Sequence, residues 1–538
     1  MLHLSTESLK NKTEWENGEM ELPSFDRREM LEKTKENPTW VHFGAGNIFR
    51  GYIAALQQKL LELKKVETGI IAVETYDFEI IDRMYLPYEN LSLLAVMHPD
   101  GSLEKKVIAS VSEGLAADVS RTGEWERLQE IFKKPSLQMA SFTITEKGYS
   151  LKGPDGRYFP EVAADLANGP AKPKTVMAKV ASLVYARYQN GELPVALVSM
   201  DNCSKNGEKL QTAVLEMAGS WVQKGMAEEA FLEYLKDSKK VSFPWSMIDK
   251  ITPRPSEEVK EKLNAVGFLD TDILCTAKNT VIAPFINAEG PQYLAVEDSF
   301  PNGRMPLELA GVYFTDRGTV NRVETMKVTT CLNPLHTALA VFGCLLGYKS
   351  IAAEMQEPLL KSLVERLGYD EGMPVVVHPG IIDPVRFIRE VIEVRFTNPY
   401  IPDTPQRIAS DTSQKLPVRF GETIKAYGKH PGLNPADLKY IPLVQAGWLR
   451  YLLALDDKGE EMELSPDPML ESLKRGLAGI RLGEPGSAEG KLKPILSNGA
   501  IFGCDLYAVG LGEKVEAYFS ELIAGKGAVR ATLEKYLG

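Results

Sequence analysis

Three polar side chains interrupt the apolar segment "MKVTTCLNPLHTAL" at residues 326–339. Lys327, Asn333 and His336 contribute an ammonium, an amide and an imidazole, and burying such groups is costly unless they meet partners or a substrate. Burial in a desolvated pocket disfavours the charged form of a lysine, so Lys327 is a candidate base for proton transfer to and from an alcohol. Asn333 could polarise a carbonyl or hold an alkoxide, and His336 follows on nearly the same helical face.

The same residues also have a structural explanation. Asparagine followed by proline is a common helix start, so Asn333 could simply cap a helix with Pro334 in its first turn. On an ideal helix Lys327 and His336 would lie on opposite faces. The sequence therefore predicts either a π-bulge that absorbs one residue or a helix that restarts at Asn333. We favour the restart, because proline is poorly accommodated in a helix interior.

A glycine-containing turn, "FGAGNIFRG", follows an apolar strand at about 39–43 and precedes a helix-like run. Gly44 and Gly46 have the G-x-G spacing of a tight turn that lets a pyrophosphate approach a helix N-terminus. Phe49 occupies the place of the third glycine, and an ordinary strand-to-helix turn is the alternative. The predicted cofactor-binding residues here are Phe43, Gly44, Ala45, Gly46, Asn47 and Ile48.

Carboxylates follow the next predicted strand, "TGIIAVETYD". Glu74 could accept hydrogen bonds from the adenosine ribose and repel a 2′-phosphate, which predicts NAD rather than NADP. Asp77 is a second choice, and a solvated loop carboxylate is the structural alternative. Asn202 ends a further strand, "LPVALVSMDN", at a position where open α/β sheets bind ligands, and is a second candidate amide.

Composition favours a soluble protein with a large core. The chain has 538 residues, a formal net charge of −11 and 44 % hydrophobic residues. The acidic balance gives no reason to expect nucleic acid, and we found neither a signal peptide nor an uninterrupted apolar window of roughly 18 residues. Five scattered cysteines favour a reducing cytoplasm, and no His, Cys or carboxylate cluster has metal-ligand spacing. We therefore predict a cytoplasmic protein without membrane contact or a metal.

The order of predicted elements indicates two domains. Strands alternate with helices such as "KTVMAKVASLVYARYQN" as far as about residue 300, which predicts a largely parallel, doubly wound α/β sheet. Beyond that point nearly all apolar patterns have helical spacing. We predict an N-terminal domain over 1–310, with an N-terminal extension, and a mostly α-helical domain over 311–538.

Several spaced motifs resemble the polyol-specific long-chain dehydrogenase/reductase family, also called the mannitol dehydrogenase family. That family carries a K-x4-N-x2-H motif, and this chain has K-x5-N-x2-H at Lys327, Asn333 and His336. Glu324 stands where the family has a proton-relay glutamate, and "SMDN" supplies the matching Asn202. "VSFPWSMIDKITP", "TEKGY", "AVEDSFPNGR" and "NPYIPDTPQRIASDTSQKLPVRF" also resemble the family, from about residue 20 to the end.

The resemblance implies a Rossmann-type N-terminal domain, a helical C-terminal domain and an active site in the cleft between them. It also implies metal-independent, NAD-dependent hydride transfer with Lys327 as acid and base, helped by Asn202, Asn333, His336 and Glu324. The substrate-binding residues it implies, with one added lysine that could meet a carboxylate, are Asp249, Arg407, Lys415 and Lys147.

The resemblance leaves several substrates open. A sugar acid needs a cation or a fork of donors for its carboxylate. We favour the reduction of D-fructuronate to D-mannonate in hexuronate catabolism, with mannitol or tagaturonate chemistry as alternatives. An NADP-linked enzyme and a non-catalytic dinucleotide-binding sensor also stay open. The sequence leaves the oligomeric state, monomer or dimer, open.

Overall fold

A computed structural model describes residues 2–538. The chain divides into two compact units, Met1–Asn321 and Arg322–Gly538, which are described separately below. The sequence predicts the division between domains after residue 310.

The first unit is built on a six-stranded parallel sheet. Its strands are β1 (Trp40–Phe43), β2 (Ile70–Glu74), β3 (Val111–Ala116), β4 (Met139–Phe142), β5 (Val195–Ser199) and β6 (Val241–Ser242). They lie in the order β3-β2-β1-β4-β5-β6, and every pairing is parallel. This is the strand order of a dinucleotide-binding fold, in which ligands bind beyond the carboxyl ends of the strands where the order reverses. The prediction of a Rossmann-type sheet is confirmed.

Both faces of this sheet are covered, which explains why its strands are continuous apolar runs. Val41 and Phe43 of β1 belong to a core with helix Thr122–Lys133, whereas Trp40 belongs to a second core with helix Ala54–Glu62. The α-helices of this unit are Lys12–Asn17, Arg27–Glu36, Ala54–Glu62, Thr122–Lys133, Pro160–Asn168, Val176–Gln189, Asn206–Gln223, Glu229–Lys236 and Glu257–Ala265.

Three smaller sheets that the sequence analysis did not predict complete the first unit. A four-stranded sheet has the order Met20–Glu21, Leu103–Ile108, Ser92–Met97, Phe285–Glu289. A three-stranded sheet has the order Ser246–Asp249, Tyr293–Glu297, Tyr313–Thr315, and Leu274–Cys275 pairs with Val281–Ile282. The three-stranded sheet positions Asp249 at the end of its first strand.

The second unit is helical, as predicted. Its described residues form two isolated β-bridges and no strand. Four π-helical turns occur at Lys327–Cys331, Arg366–Gly372, Val391–Arg395 and Pro417–Gly421. The α-helices are Asn333–Leu346, Ile351–Glu354, Pro358–Glu365, Pro384–Glu390, Pro405–Ile408, Thr412–Leu416, Glu422–Lys429, Tyr440–Tyr451, Leu470–Gly476, Lys493–Leu496, Gly499–Phe502, Gly512–Leu522 and Ala528–Leu537, and Arg317–Met326 crosses the boundary between units.

One helical stretch, Arg317–Leu346, is long and apolar enough to cross a membrane by length and composition alone. Its most apolar window is 78 % buried within the protein. Buried core helices have the same apolar character, so the stretch is weak evidence of a membrane span.

Glu354 is a buried carboxyl group in this helical unit. It lies at the end of helix Ile351–Glu354, is fully buried, and neither of its oxygens has a hydrogen-bond partner among the described residues. A Cβ built on Gly343 would lie 2.1 Å from Glu354 Oε1, so the carboxyl group packs directly on the Asn333–Leu346 backbone. Burial raises the pKa of Glu354 to about 9, so the group is protonated at neutral pH.

We expect Glu354→Gln to stabilise the protein increasingly as the pH rises. The folded state retains the Glu354 proton while the unfolded chain loses it above about pH 4.5, so wild-type stability falls as the pH rises towards about 9. Glutamine removes this cost, which is of the order of 3 kcal/mol at pH 7. Thermal unfolding at pH 4.5 and pH 8 measures the effect, with the exposed Glu471→Gln as control. An equal gain at both pH values would contradict it.

Candidate active site

The turn after β1 has the geometry of a phosphate-binding turn. Gly44 has φ = +105°, and a Cβ at that position would lie 2.1 Å from the carbonyl oxygen of Thr143, so only glycine fits. A Cβ at Gly46 would meet no atom within 4 Å, which leaves that side of the turn open to an approaching ligand. The two glycines therefore have different roles. Gly44 is required by the backbone conformation and the close approach of Thr143, whereas Gly46 leaves room for a ligand beside the turn.

Buried side chains fix this turn. Arg50 donates to Asn47 Oδ1 (2.9 Å) and to the carbonyl of Ala283 (2.8 Å), and Tyr85 donates to the carbonyl of Ala45 (2.9 Å). Phe43 is fully buried in the sheet, so its backbone is the part that could face a cofactor. The predicted residues Phe43 to Ile48 thus form one ordered segment at the switch point of the sheet.

Glu74 lies at the carboxyl end of β2, next to this turn. Its Oε2 accepts a hydrogen bond from the backbone N–H of Ala45 (3.1 Å), and its Oε1 accepts from the N–H groups of Thr75 and Tyr76 (2.9 Å each). The carboxylate therefore joins the loop after β1 to the loop after β2. Its role at a ribose stays a prediction, since part of its acceptor capacity is already used. Asp77 accepts instead from the hydroxyls of Thr276 and Thr280 (2.6 Å each), which is a structural role.

Lys179 is a cation beside the same loop that sequence reasoning missed. Its Nζ donates to the carbonyl of Thr75 (2.9 Å) and lies 5.2 Å from the ring centroid of Phe78. Burial lowers the pKa of Lys179 to about 8, although Asp118 and Glu74 act in the opposite direction. A lysine inside the apolar helix "VMAKVASLV" was the available signal.

The remaining predicted residues of the first unit lie on loops. Asn202 is exposed just after β5, and Lys147 is exposed in the short helix Glu146–Tyr149. Asp201 fixes the geometry between them, because its carboxylate accepts from the N–H groups of Ile144 (2.9 Å) and Thr145 (2.8 Å) and from the hydroxyl of Tyr149 (2.5 Å). Sequence reasoning took the "TEKGY" and "SMDN" motifs separately and missed this connection.

Asp249 is buried, 5 % exposed, at the end of the strand Ser246–Asp249. The start of that strand is tied to the main sheet by Asn206, whose Nδ2 donates to the carbonyls of Asp201 and Ser246 (3.0 Å each). Asp249 therefore has a defined position relative to the carboxyl end of β5. Its contact with substrate stays a prediction.

In the second unit, Lys327 begins a π-helical turn and is 4 % exposed. The turn ends at Cys331. The next residue, Leu332, has a φ of −131° and a ψ of −63°, outside the helical region, and the next helix begins at Asn333 with Pro334 in its first turn. The structure thus contains both of the predicted features, the π-bulge and a helix that restarts at Asn333. Glu324 is partly buried on the preceding helix, Arg317–Met326.

His336 lies one turn into the helix Asn333–Leu346. Its Nε2 lies 3.3 Å from Asp403 Oδ2, and its ring lies 5.2 Å from the ring of Phe396. Burial, with repulsion from Arg419, Arg407 and other cations, lowers the pKa of His336 to about 3. The imidazole is therefore neutral at physiological pH, with one nitrogen that donates and one that accepts, which suits a sugar hydroxyl.

Arg407 and Lys415 lie close to this histidine. Arg407 forms an ion pair with Asp403, whose other oxygen faces His336. Lys415 Nζ donates to the carbonyls of Ile408 (3.1 Å) and Ser410. The structure therefore groups His336, Arg407 and Lys415 in one region of the second unit, near the start of the helix that Asn333 begins.

Sequence reasoning missed two arginines of this region, Arg395 and Arg419. Both repel the protonated form of His336. Each occurs in a "VRF" triplet, 394–396 and 418–420, within an apolar stretch. An arginine between apolar residues was the only signal, and the sequence alone does not show that both triplets meet the same histidine.

Comparison with known proteins places this geometry in a family. The model of the mannitol dehydrogenase Rossmann domain matches residues 38–268, and that of the mannitol dehydrogenase C-terminal domain matches residues 319–522. The chain belongs to the mannitol dehydrogenase family. This confirms the family predicted from the sequence motifs.

Individual relatives agree with this assignment. A D-mannonate oxidoreductase of Thermotoga maritima is 56 % identical over 100 % of this chain and 99 % of its own length. The structure resembles Pseudomonas fluorescens mannitol 2-dehydrogenase in ternary complex with NAD and D-mannitol (TM-score 0.68, 25 % identity) and a substrate-free D-sorbitol dehydrogenase (TM-score 0.78, 26 % identity), covering 96 % of this chain and 97 % of each. The NAD complex supports NAD as the cofactor of this mannitol dehydrogenase family member.

Proposed function

We propose that the protein is an NAD-dependent oxidoreductase that reduces D-fructuronate to D-mannonate. The observation that carries this proposal is the 56 % identity, along the full length of both chains, to a D-mannonate oxidoreductase. The chain also holds the lysine, amide and imidazole that such a reaction needs, at Lys327, Asn333 and His336. The cytoplasm is the proposed location.

The first unit fits a dinucleotide. The open side of the turn at Gly46 can take a pyrophosphate, and Glu74 reaches the same turn from β2. Residues 43–48 with Glu74 would hold the cofactor, which supplies the hydride when bound.

The residues of the second unit donate the proton to the reduced substrate and orient the substrate. We assign Lys327, as the ammonium, to protonate the alkoxide that forms when the keto carbon is reduced. Asn333 donates a hydrogen bond to that oxygen and stabilises its developing charge, with Asn202 as the predicted second amide. Neutral His336 binds a neighbouring hydroxyl, and Glu324 is the predicted proton relay. These roles need no metal ion.

A substrate panel tests the proposal. We expect the kcat/KM for NADH-dependent reduction of D-fructuronate to exceed that of D-fructose by at least about tenfold, because D-fructose lacks the carboxylate and a positioned carboxylate contact is worth more than about 1.4 kcal/mol. D-tagaturonate carries the same carboxylate, so the ratio of its kcat/KM to that of D-fructuronate measures recognition of the hydroxyl configuration. A preference for D-fructose would instead indicate a mannitol 2-dehydrogenase. NADH binding without reduction of any of these sugars would indicate a sensor protein.

Cofactor preference depends on Glu74. We expect the wild-type enzyme to prefer NADH, and Glu74→Gln to narrow that preference by about tenfold, because a carboxylate near the ribose repels a 2′-phosphate. Glutamine keeps one oxygen that can accept the hydrogen bond from the backbone N–H of Ala45. The measurement is kcat/KM with NADH and NADPH, and the exposed Glu67→Gln is the matched control. An unchanged ratio in Glu74→Gln would remove this residue from cofactor selection.

A further inference from the structure

Four cationic side chains gather around His336. Arg395, Arg407, Lys415 and Arg419 all contribute repulsion against its protonated form. Arg419 and Arg407 also repel the ammonium of Lys415, and together with burial they lower the pKa of Lys415 to about 8. Holding like charges together is unfavourable, so such a group is expected where an anion binds.

The negative charges of this region are already engaged. Asp403 pairs with Arg407 and faces His336. Asp467 accepts from the backbone N–H (2.8 Å) and hydroxyl (2.6 Å) of Ser413, so it only partly offsets the charge of Lys415. Asp411 acts on Lys415 in the same direction. None of these three carboxylates pairs with Arg419.

The protein partner of Arg419 is a neutral group. It donates to Thr337 Oγ1 (2.5 Å), a neutral hydroxyl, and across residues 2–538 it pairs with no carboxylate. Burial lowers its pKa to about 10, which leaves it charged at neutral pH. A guanidinium has five donors, so most of them stay available to a ligand.

The contact with Thr337 places Arg419 beside the proposed chemistry. Thr337 follows His336 directly, and its hydroxyl donates to the carbonyl of Asn333 (3.0 Å). Arg419 therefore lies against the N-terminal part of the helix that carries the candidate amide and imidazole. The carboxylate of a six-carbon sugar acid is a few bonds from its keto carbon, so a cation at this place is a candidate partner for it.

Close packing of its turn defines the backbone position of Arg419. It lies in the π-helical turn Pro417–Gly421, as Lys327 lies in its own, and π-bulges are frequent at functional sites. A Cβ on Gly421 would lie 2.4 Å from the carbonyl oxygen of Phe502, so this turn packs closely on a neighbouring segment. A fixed guanidinium loses little entropy on binding a carboxylate.

We propose that Arg419, flanked by Lys415 and Arg407, binds the carboxylate of a sugar-acid substrate and so selects acids over neutral sugars. This inference rests on the proposed function and adds a specificity-determining residue to it. Arg419 offers the two parallel N–H groups that a carboxylate accepts, and Lys415 adds a point charge.

Paired acidic and neutral ligands test Arg419. We expect Arg419→Met to lower kcat/KM for D-fructuronate by at least about 100-fold, mainly through KM, as loss of a bidentate ion pair predicts. Competitive inhibition by D-mannonate should weaken as strongly, whereas inhibition by neutral D-mannitol should change less than about threefold. Arg419→Lys should recover part of the loss, and the exposed Arg475→Met is the matched control.

The outcomes separate this inference from the proposed function. If the wild-type protein reduces D-tagaturonate better than D-fructuronate, the proposed substrate is wrong, but the assignment of Arg419 to a substrate carboxylate is unaffected. Equal losses for acidic and neutral ligands in folded Arg419→Met, or no loss for either, would overturn the assignment of Arg419. Thermal unfolding identifies a misfolded variant, in which case Arg419→Lys decides, because a carboxylate site predicts a higher KM for the acid alone.

The pH dependence is a second measurement on the unaltered protein. Lys415 faces Arg419, Arg407, Asp411 and Asp467, and its ammonium is lost as the pH rises through about 8. Inhibition by D-mannonate should therefore weaken several-fold from pH 7 to pH 9, while inhibition by D-mannitol stays constant. A parallel change for both ligands would contradict a carboxylate subsite.

Discussion

Replacing Lys327 with methionine should lower kcat by about 10²-fold or more, because the forming alkoxide then has no positioned proton donor. Lys327 is 4 % exposed at the start of a π-helical turn, and methionine is unbranched and of similar length, so it can occupy the same space. We therefore expect the melting temperature and the affinity for NADH to stay close to those of wild type. Steady-state kinetics with D-fructuronate and a fluorescence titration with NADH measure the two effects.

A matched variant isolates the role of Lys327. Lys361 is an exposed lysine of the same unit, and Lys361→Met should leave kcat unchanged. Near wild-type turnover in Lys327→Met would exclude this residue as the acid and base. A parallel loss of NADH binding would point to a misfolded site rather than to lost chemistry.

Alanine should destabilise the protein at Gly44, whereas at Gly46 it should weaken NADH binding with little change in stability. A methyl group at Gly44 would lie 2.1 Å from the Thr143 carbonyl, on a backbone with φ = +105°. We expect Gly44→Ala to lower the free energy of unfolding by about 3 kcal/mol or more, through strain and steric overlap. Thermal unfolding and NADH binding measure this loss.

Gly46→Ala is the internal control for this steric argument. Its methyl group would meet no protein atom within 4 Å, so stability should change little. The same methyl group would occupy the open side of the turn, and we expect the KM for NADH to rise at least tenfold, because the pyrophosphate can no longer approach the backbone. An unchanged KM in Gly46→Ala would show that the dinucleotide does not bind at this turn.

The sequence predicts the main sheet well, and the reason is local. Strands β1, β2, β4 and β5 are short apolar runs buried on both faces, so each is visible without its neighbours. The strand Phe285–Glu289, which pairs with Ser92–Met97, was missed because its five residues include the polar Asn287 and Glu289. A segment without a continuous apolar run gives little indication of a buried strand.

The candidate site shows the same limit. Lys327, Asn333 and His336 share one segment and were predicted from it. Arg419 acquires its significance only when the fold places it on Thr337, which no spacing in the sequence indicates. The hydrogen bonds of Glu74 to its own loop were equally invisible, because they depend on the path of the backbone after β2.

The π-helical turn at Lys327–Cys331 accommodates the one residue by which this chain exceeds the family motif. A π turn holds one residue more than an α turn. The K-x5-N spacing of this chain therefore fits a π turn, and the K-x4-N spacing of the family motif fits an α turn. Counted without the extra residue, Lys327 and His336 are about 80° apart around a helix axis rather than about 180°. Deleting one residue from 328–331 should therefore convert the turn to α-helix and preserve the register on both sides. A one-residue insertion can arise at this point without shifting the helix Asn333–Leu346 against its neighbours.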